Sequence, residues 1–163
     1  MSGTSGADSP VLNNSANFFD GLEGHDSLSG LGGNDTLAGG SDNDTVRGGS
    51  GGDSLIGGAG NDRFLFAERG FGADTISDFA AGDVIDLSFL GVADLATLAP
   101  FMTQSGLDVR IAMEYGFDAE VIVIRNTTVG ALTAASFAFN TAATPLTTNG
   151  TSARDVLFGG NGT

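Results

Sequence analysis

Residues 57–66 read GGAGNDRFLF. The most flexible residues available to a chain run straight into an alternating aromatic strand. One copy would be a loop before a strand, but the pattern recurs. Aligned on the aspartate, the chain reads GLEGHDSLS (21–29), GLGGNDTLA (30–38), GGSDNDTVR (39–47), GGSGGDSLI (48–56) and GGAGNDRFL (57–65). The sixth position is Asp26, Asp35, Asp44, Asp53 and Asp62, and the eighth is Leu28, Leu37, Val46, Leu55 and Phe64. Two looser copies precede them: GTSGADSPV (3–11) with Asp8, and LNNSANFFD (12–20) with Asn17 and Phe19. Aspartate fills six of seven places spaced by nine, although it is only 16 of 163 residues. Chance does not produce that register.

The pattern G-G-x-G-x-D-x-U-x, with U apolar, resembles the RTX (hemolysin-type) calcium-binding nonapeptide repeat. The residues support the chemistry that this resemblance implies. Nine residues divide into a six-residue turn and a three-residue strand. Glycines at the first, second and fourth positions permit positive φ and close backbone approach. Carbonyls of such a turn, with Gly24, Gly33, Gly51 and Gly60 as candidates, can then point inward together. Calcium takes six to eight oxygen ligands and accepts carbonyls mixed with carboxylates. The sixth-position aspartates supply the charge, so Asp8, Asp26, Asp35, Asp44, Asp53 and Asp62 are the candidate metal ligands. The eighth residue is apolar in each of these short strands and must face the interior.

Two repeats make one coil of a solenoid whose units cannot fold alone. The expected fold is all-β: a parallel β-roll, right-handed by the resemblance, closed by a C-terminal β-rich segment with one short helix. Aspartates two repeats apart share an edge. The neighbouring pairs are Asp8/Asp26, Asp26/Asp44, Asp44/Asp62, Asn17/Asp35 and Asp35/Asp53, hence about five calcium ions. Five divalent ions would bring the formal charge from −14 to about −4. Most of the acidity thus reads as metal sites, and the metal-free repeats are expected to be disordered. Residues 12–20 hold no glycine and Pro10 stands at the first inward position, so the sites using Asp8 and Asn17 are the weakest. Asp42 replaces a fourth-position glycine, either as a further ligand or as a distortion of the turn.

Composition narrows the partners. The chain has 20 acidic residues, six arginines, no lysine and no cysteine. A net charge of −14 argues against nucleic acid and anionic membrane, which need clustered cations. The lack of cysteine removes disulfides, zinc thiolate sites and thiol catalysis. No apolar run approaches the ~20 residues of a membrane span. MSGTSGADSP (1–10) lacks the form of a secretory signal.

After residue 65 the nine-residue beat is not apparent. DTISDF (74–79) and GDVIDLS (82–88) alternate as half-buried strands do, VADLATLAPFM (92–102) has helical spacing, and GLDVRIAM (106–113) would turn Leu107, Val109, Ile111 and Met113 to one face. EVIVIRN (120–126) reads as a buried strand. Phe64, Phe66, Ile76 and Phe79 are expected to plug the open end of the roll. This order resembles the C-terminal modules of serralysin-type proteases and alginate (mannuronan) epimerases. The resemblance implies that Asp74 and Asp78 help close the last calcium site. NGTSARDVLFGGNGT (149–163) echoes residues 2–11, with Asp155 and Leu157 in register, as in a tandem array of modules. The expected division is degenerate first repeats (1–20), calcium-binding roll (21–65), β-rich cap (66–140), and linker with the start of a next module (141–163).

No catalytic residues are expected. His25, the single histidine, takes a fifth position and reads as a solvated loop residue, and the acids are already explained as ligands. Arg47 and Arg63 fall on outward positions of adjacent strands, where they could bind an acidic polysaccharide, with Arg69, Arg110 and Arg125 extending that surface. The alternative is scattered solubilising charge. The resemblance implies a non-catalytic, type I-secreted module of a Gram-negative bacterium, extracellular or at the cell surface. Its partners would be calcium, neighbouring modules and, as accessory to an epimerase, lyase or protease, anionic polysaccharide such as alginate. The alternative is a calcium-rigidified repeat of a large adhesin or surface-layer protein.

Overall fold

The structure is a computed structural model that describes residues 1–115 and 118–140. The repeats form strands β1 (Phe18–Asp20), β2 (Ser27–Ser29), β3 (Thr36–Ser41), β4 (Thr45–Arg47), β5 (Ser54–Ala59) and β6 (Arg63–Leu65), followed by β7 (Ala73–Ile76) and β8 (Val84–Asp86). Odd and even strands stack into two separate parallel sheets, as an 18-residue coil requires. The eighth-position residues form two inward columns in register. One runs Phe19–Leu37–Leu55–Ile76, and the other Leu28–Val46–Phe64–Ile85. All eight are buried, and each contributes about 2 kcal/mol relative to an exposed side chain. The chain is a parallel β-solenoid of about four turns.

The solenoid extends past Leu65. β5 pairs with β7 and β6 with β8, each in parallel, with offsets of 21 residues in place of 18. Residues 66–68 are an insertion, after which RGFGADTIS (69–77) and DFAAGDVID (78–86) resume the nine-residue register. The expectation that the beat ends at residue 65 is thus corrected. Arg69 and Asp78 stand at first positions where the earlier repeats carry glycine, and this hides the two copies from a glycine-led reading. The inserted Phe66 is buried and packs on Phe71, with ring centroids 4.8 Å apart. Phe64 and Ile76 belong to the two columns, while the partly buried Phe79 packs against the core, its ring centroid 6.3 Å from that of Phe64.

The first coil also stacks. Ser27 N–H donates to Asp8 O and Thr36 N–H to Asn17 O, at 2.8 and 2.9 Å. Pro10 offers only its carbonyl, which takes the Ser29 N–H at 3.2 Å.

Beyond Asp86 the roll is covered by a cap. A four-residue helix α1 (Leu95–Leu98) is N-capped by Asp94, whose carboxylate accepts the Thr97 N–H at 2.8 Å. The helical spacing read over 92–102 yields only this turn, because Pro100 lies in a 3-10 turn at Ala99–Phe101 that leads directly into a strand. Strands β9 (Met102–Ser105), β10 (Asp108–Tyr115) and β11 (Asp118–Ile124) form an antiparallel extension, and β11 joins β7 in parallel to make one seven-stranded sheet. Ile124 continues the first column beside Ile76. β12 (Phe137–Ala138) completes a five-stranded sheet and sets Phe137 beside Ile85. Val109, Ile111 and Met113 are fully buried as expected; Leu107 is 76% exposed, because it lies in the β9–β10 turn. The expected linker and next module, with Asp155 and Leu157, lie outside the described residues.

Candidate metal centre

Each sixth-position side chain turns inward beside the strand that follows it, so the aspartates stack along the two edges. The backbone N–H of each sixth residue donates to the Oδ1 of the aspartate one coil later. On one edge the donors Asp8, Asp26, Asp44 and Asp62 meet Asp26, Asp44, Asp62 and Asp83, at 2.7 to 2.9 Å. On the other, Asn17, Asp35 and Asp53 meet Asp35, Asp53 and Asp74, at 2.7 to 2.8 Å. The result is a continuous ladder of amide-to-carboxylate bonds.

The second carboxylate oxygen is the decisive one. The Oδ2 atoms of Asp26, Asp35, Asp44, Asp53, Asp62 and Asp74 are buried and have no hydrogen-bond partner. All six residues are at most 3% exposed. A buried carboxylate oxygen without a partner costs free energy unless a cation or a proton compensates it. Burial accordingly raises Asp44 to about 6 and Asp74 to about 8, and raises Asp35, Asp53 and Asp62 as well. Repulsion from the neighbouring aspartates adds to this for Asp44, Asp53, Asp62 and Asp74.

Glycine makes room for these oxygens. A Cβ on first-position Gly21 would collide with Asp26 Oδ2 and with the carbonyl oxygen of Gly39, one coil on; Gly30 stands in the same relation to Asp35 and Gly48. Carboxylate and carbonyl oxygens therefore converge beside each of these glycines. Fourth-position Gly24, Gly33, Gly51 and Gly60 hold φ of +103° to +149°, where a side chain is strained. Among the described residues no three His, Cys, Asp or Glu side chains converge. Carbonyls must complete any site, and an all-oxygen donor set of carbonyls with single carboxylates suits calcium over a softer metal.

The remaining candidate residues differ from this scheme. Asp8 is half-buried, and its Oδ2 is taken by the Thr4 N–H at 2.7 Å. Asp78 lies at the head of the last repeat, with its oxygens on the N–H groups of Gly57 and Gly58 at 3.0 and 2.8 Å. Its charge is close enough to raise Asp62. Asp42 is exposed, with φ +78°. His25 is exposed as expected, yet its Nδ1 accepts the Asn43 N–H at 3.0 Å. Asn43 does the same for Asn61, and Asn34 for Gly52, so the fifth positions build an outer ladder.

Two acids were missed. Asp83 closes the first edge, with Oδ1 on Asp62 N–H and Oδ2 on Ala80 N–H at 2.7 Å; a spacing of 21 from Asp62 and of nine from Asp74 was its signal. Glu120, also buried, comes from β11, and no spacing announces it.

Arg47 and Arg63 face outward on the five-stranded sheet, and both are paired. Arg47 meets Glu68 through both carboxylate oxygens, and Arg63 grips Asp86, which is fully buried. Burial pushes the Asp86 carboxyl up, but hydrogen bonds from Ser88 and Arg63 outweigh it and hold the group below its usual range. Arg110 and Arg125 lie on β10 and just past β11 in the other sheet, so they do not extend that surface.

A search of curated proteins finds no match. Among solved structures, the chain is similar to extracellular lipase LipA from Serratia marcescens, at 15% identity and TM-score 0.45 over 84% of this chain; that alignment spans 39% of the lipase. It is also similar to the AlgE6R2 subunit of the Azotobacter vinelandii mannuronan C5-epimerase, at 24% identity and TM-score 0.39, covering 83% of this chain and 92% of that one. The AlgE6R3 subunit of the same epimerase gives 26% identity and TM-score 0.34, covering 91% and 85%. The family described as the RTX calcium-binding nonapeptide repeat, four copies, matches residues 11–46 and 39–66. Within the described residues no helix is long and apolar enough to cross a membrane. The matched segment takes in the ladder from Asn17 to Asp62, and residues 11–66 thus match the RTX calcium-binding nonapeptide repeat.

Proposed function

We propose that the chain is a non-catalytic module that calcium folds, working as one part of a secreted protein. The observation that carries this reading is the row of buried, unpartnered Oδ2 atoms, one in each repeat from Asp26 to Asp74. Asp26, Asp35, Asp44, Asp53 and Asp62, with turn carbonyls near them, would hold the ions. The ladder offers the pairs 62/83 and 53/74 beyond the five read from the sequence. Bound calcium neutralises the stacked carboxylates, and its binding free energy becomes folding free energy. Sub-micromolar calcium inside a Gram-negative cell leaves the chain unfolded for type I export, and millimolar calcium outside folds it by mass action. The test is a calcium titration of the metal-free chain followed by far-UV circular dichroism. A cooperative gain of β-structure is expected; a full native spectrum in chelator would sink the reading.

Two uses of such a module remain. As accessory to a polysaccharide-modifying enzyme, it would grip an anionic chain such as alginate through Arg47 and Arg63. As a calcium-rigidified spacer of an adhesin or surface-layer protein, it would need no ligand. The ion pairs to Glu68 and Asp86 favour the spacer, because a polyuronate would have to displace a carboxylate from each arginine. Calorimetric titration of oligomannuronate into the calcium-loaded chain separates them. Saturable heat that Arg47→Ala or Arg63→Ala removes establishes the accessory use; no heat establishes the spacer.

A further inference from the structure

The repeat at 69–77 is the last on its edge. Among the described residues no further turn stacks on it; strand β11 meets it instead. Ile122 stands opposite Asp74 and Val121 opposite Ala73, and the Val121 N–H donates to Gly72 O at 2.8 Å. This register sets Glu120 beside Gly72, at the fourth position of the repeat that would come next. Glu120 is 2% exposed, on a strand face whose other members, Ile122 and Ile124, are fully buried. Its Oε1 accepts the N–H of Gly70, in the same turn. Its Oε2 is buried with no hydrogen-bond partner. Asp74 repeats the arrangement from within the turn: Oδ1 takes the Asp53 N–H, and Oδ2 is buried and unpartnered.

Two buried carboxylate oxygens without partners thus attend one turn. Neither has a reason to be there in an apolar cap, where a leucine would fill the space at no electrostatic cost. Burial raises both acids, and for Glu120 the Gly70 N–H and the charge of Arg69 offset only part of that. What the turn lacks is the counterpart that every earlier repeat on the edge finds in the following coil.

We propose that Glu120 stands in for that missing coil: with Asp74 and carbonyl oxygens of residues 69–74 it holds one divalent cation of the calcium kind, and so fastens the cap hairpin to the roll. The proposal rests on the calcium reading above and adds a residue that lies outside the repeats. It makes the hairpin β10–β11 a calcium-dependent element in its own right.

The test uses the full chain with calcium as the only probe. Calcium bound per chain is counted by equilibrium dialysis for the parent chain and for Glu120→Gln, and amide exchange is followed in both. The variant is expected to bind one ion fewer. Its Ile122 and Ile124 amides should lose calcium-dependent protection, while those of Leu37 and Val46 keep theirs. In the parent chain the Glu120 carboxyl carbon resonance should shift on calcium addition, a readout that survives even if the variant fails to fold. An unchanged ion count with an unmoved Glu120 resonance overturns the proposal and leaves Glu120 a neutral acid or a partner of Arg69. A parent chain that binds no calcium at all overturns the calcium reading as well, so the two failures are distinguishable.

Discussion

The two edges of the roll begin alike and end differently. One edge finishes at Asp83, whose oxygens are both satisfied by nearby backbone, Asp62 N–H on one and Ala80 N–H on the other. The other finishes at Asp74, whose second oxygen is buried and bare, with Glu120 brought in from β11 to the same turn. The first edge terminates itself within one repeat. The second ends only because a strand about 50 residues further on folds back over it. A repeat array built from one rule therefore uses two stopping devices, one local and one dependent on the cap.

The largest effect expected from breaking this comparison is Asp53→Ala. It removes an acceptor from the Asp35 N–H in the middle of the second edge and deletes one cation ligand. A loss of about 2–3 kcal/mol is expected in urea denaturation of the calcium-loaded chain. The same change at Asp8, half-buried and already turned to Thr4, should cost under about 1 kcal/mol. Equal losses at the two positions would mean that the ladder is not what holds the coils.

A pH series sharpens the contrast between metal-free and loaded chains. Asp44 and Asp74 are raised from 3.8 to about 6 and about 8. An acid with a raised folded pKa binds its proton more tightly when folded, so stability falls as pH rises above 3.8 and stops falling above the folded value. The metal-free chain should therefore hold most of its structure near pH 4 and lose it progressively towards pH 8. The calcium-loaded chain should show the reverse, because protons compete with the metal. Circular dichroism at fixed total calcium reads both. A metal-free chain that gains structure as pH rises would contradict the desolvation account.

The two arginine pairs should differ from one another. Arg63→Ala strands Asp86, which is fully buried, and should cost about 2 kcal/mol. Arg47→Ala breaks a pair whose side chains are both about one-third exposed, and should cost under about 1 kcal/mol. Thermal denaturation of the two variants measures the order. If Arg47→Ala proves the more damaging, the partly exposed pair has been underrated.

Much of this was legible from residues alone. A nine-residue beat of aspartate and one apolar residue specifies two edges and two columns, because side chains two apart on a strand share a face. Leu28, Val46 and Phe64 had no other place to go. The three-residue insertion at 66–68 hid the last coil, since Asp74 and Asp83 keep their own spacing but lose register with Asp62. The change from glycine to Arg69 and Asp78 removed the remaining cue. Glu120 could not be found this way at all: its role depends on which strand pairs with β7, and that pairing spans nearly 50 residues. Leu107 was misplaced because alternation says which face a residue takes, and not where a strand ends.

The amide-to-carboxylate bonds all run in one direction. Every rung joins a donor in one coil to an acceptor in the next coil towards the C-terminus. The solenoid is therefore a polar object, with two chemically different ends. A coil added before residue 1 need bring only amides. A coil added after Asp83 or Asp74 must bring a carboxylate to continue the ladder from their amides. Asp83 meets this by turning its own N–H back to Ala80 O at 3.3 Å. The end that asks for an acid is the end that carries a cap, and the other end asks for none. Such an object accepts a further coil differently at its two ends: at the front with amides, at the back with a carboxylate.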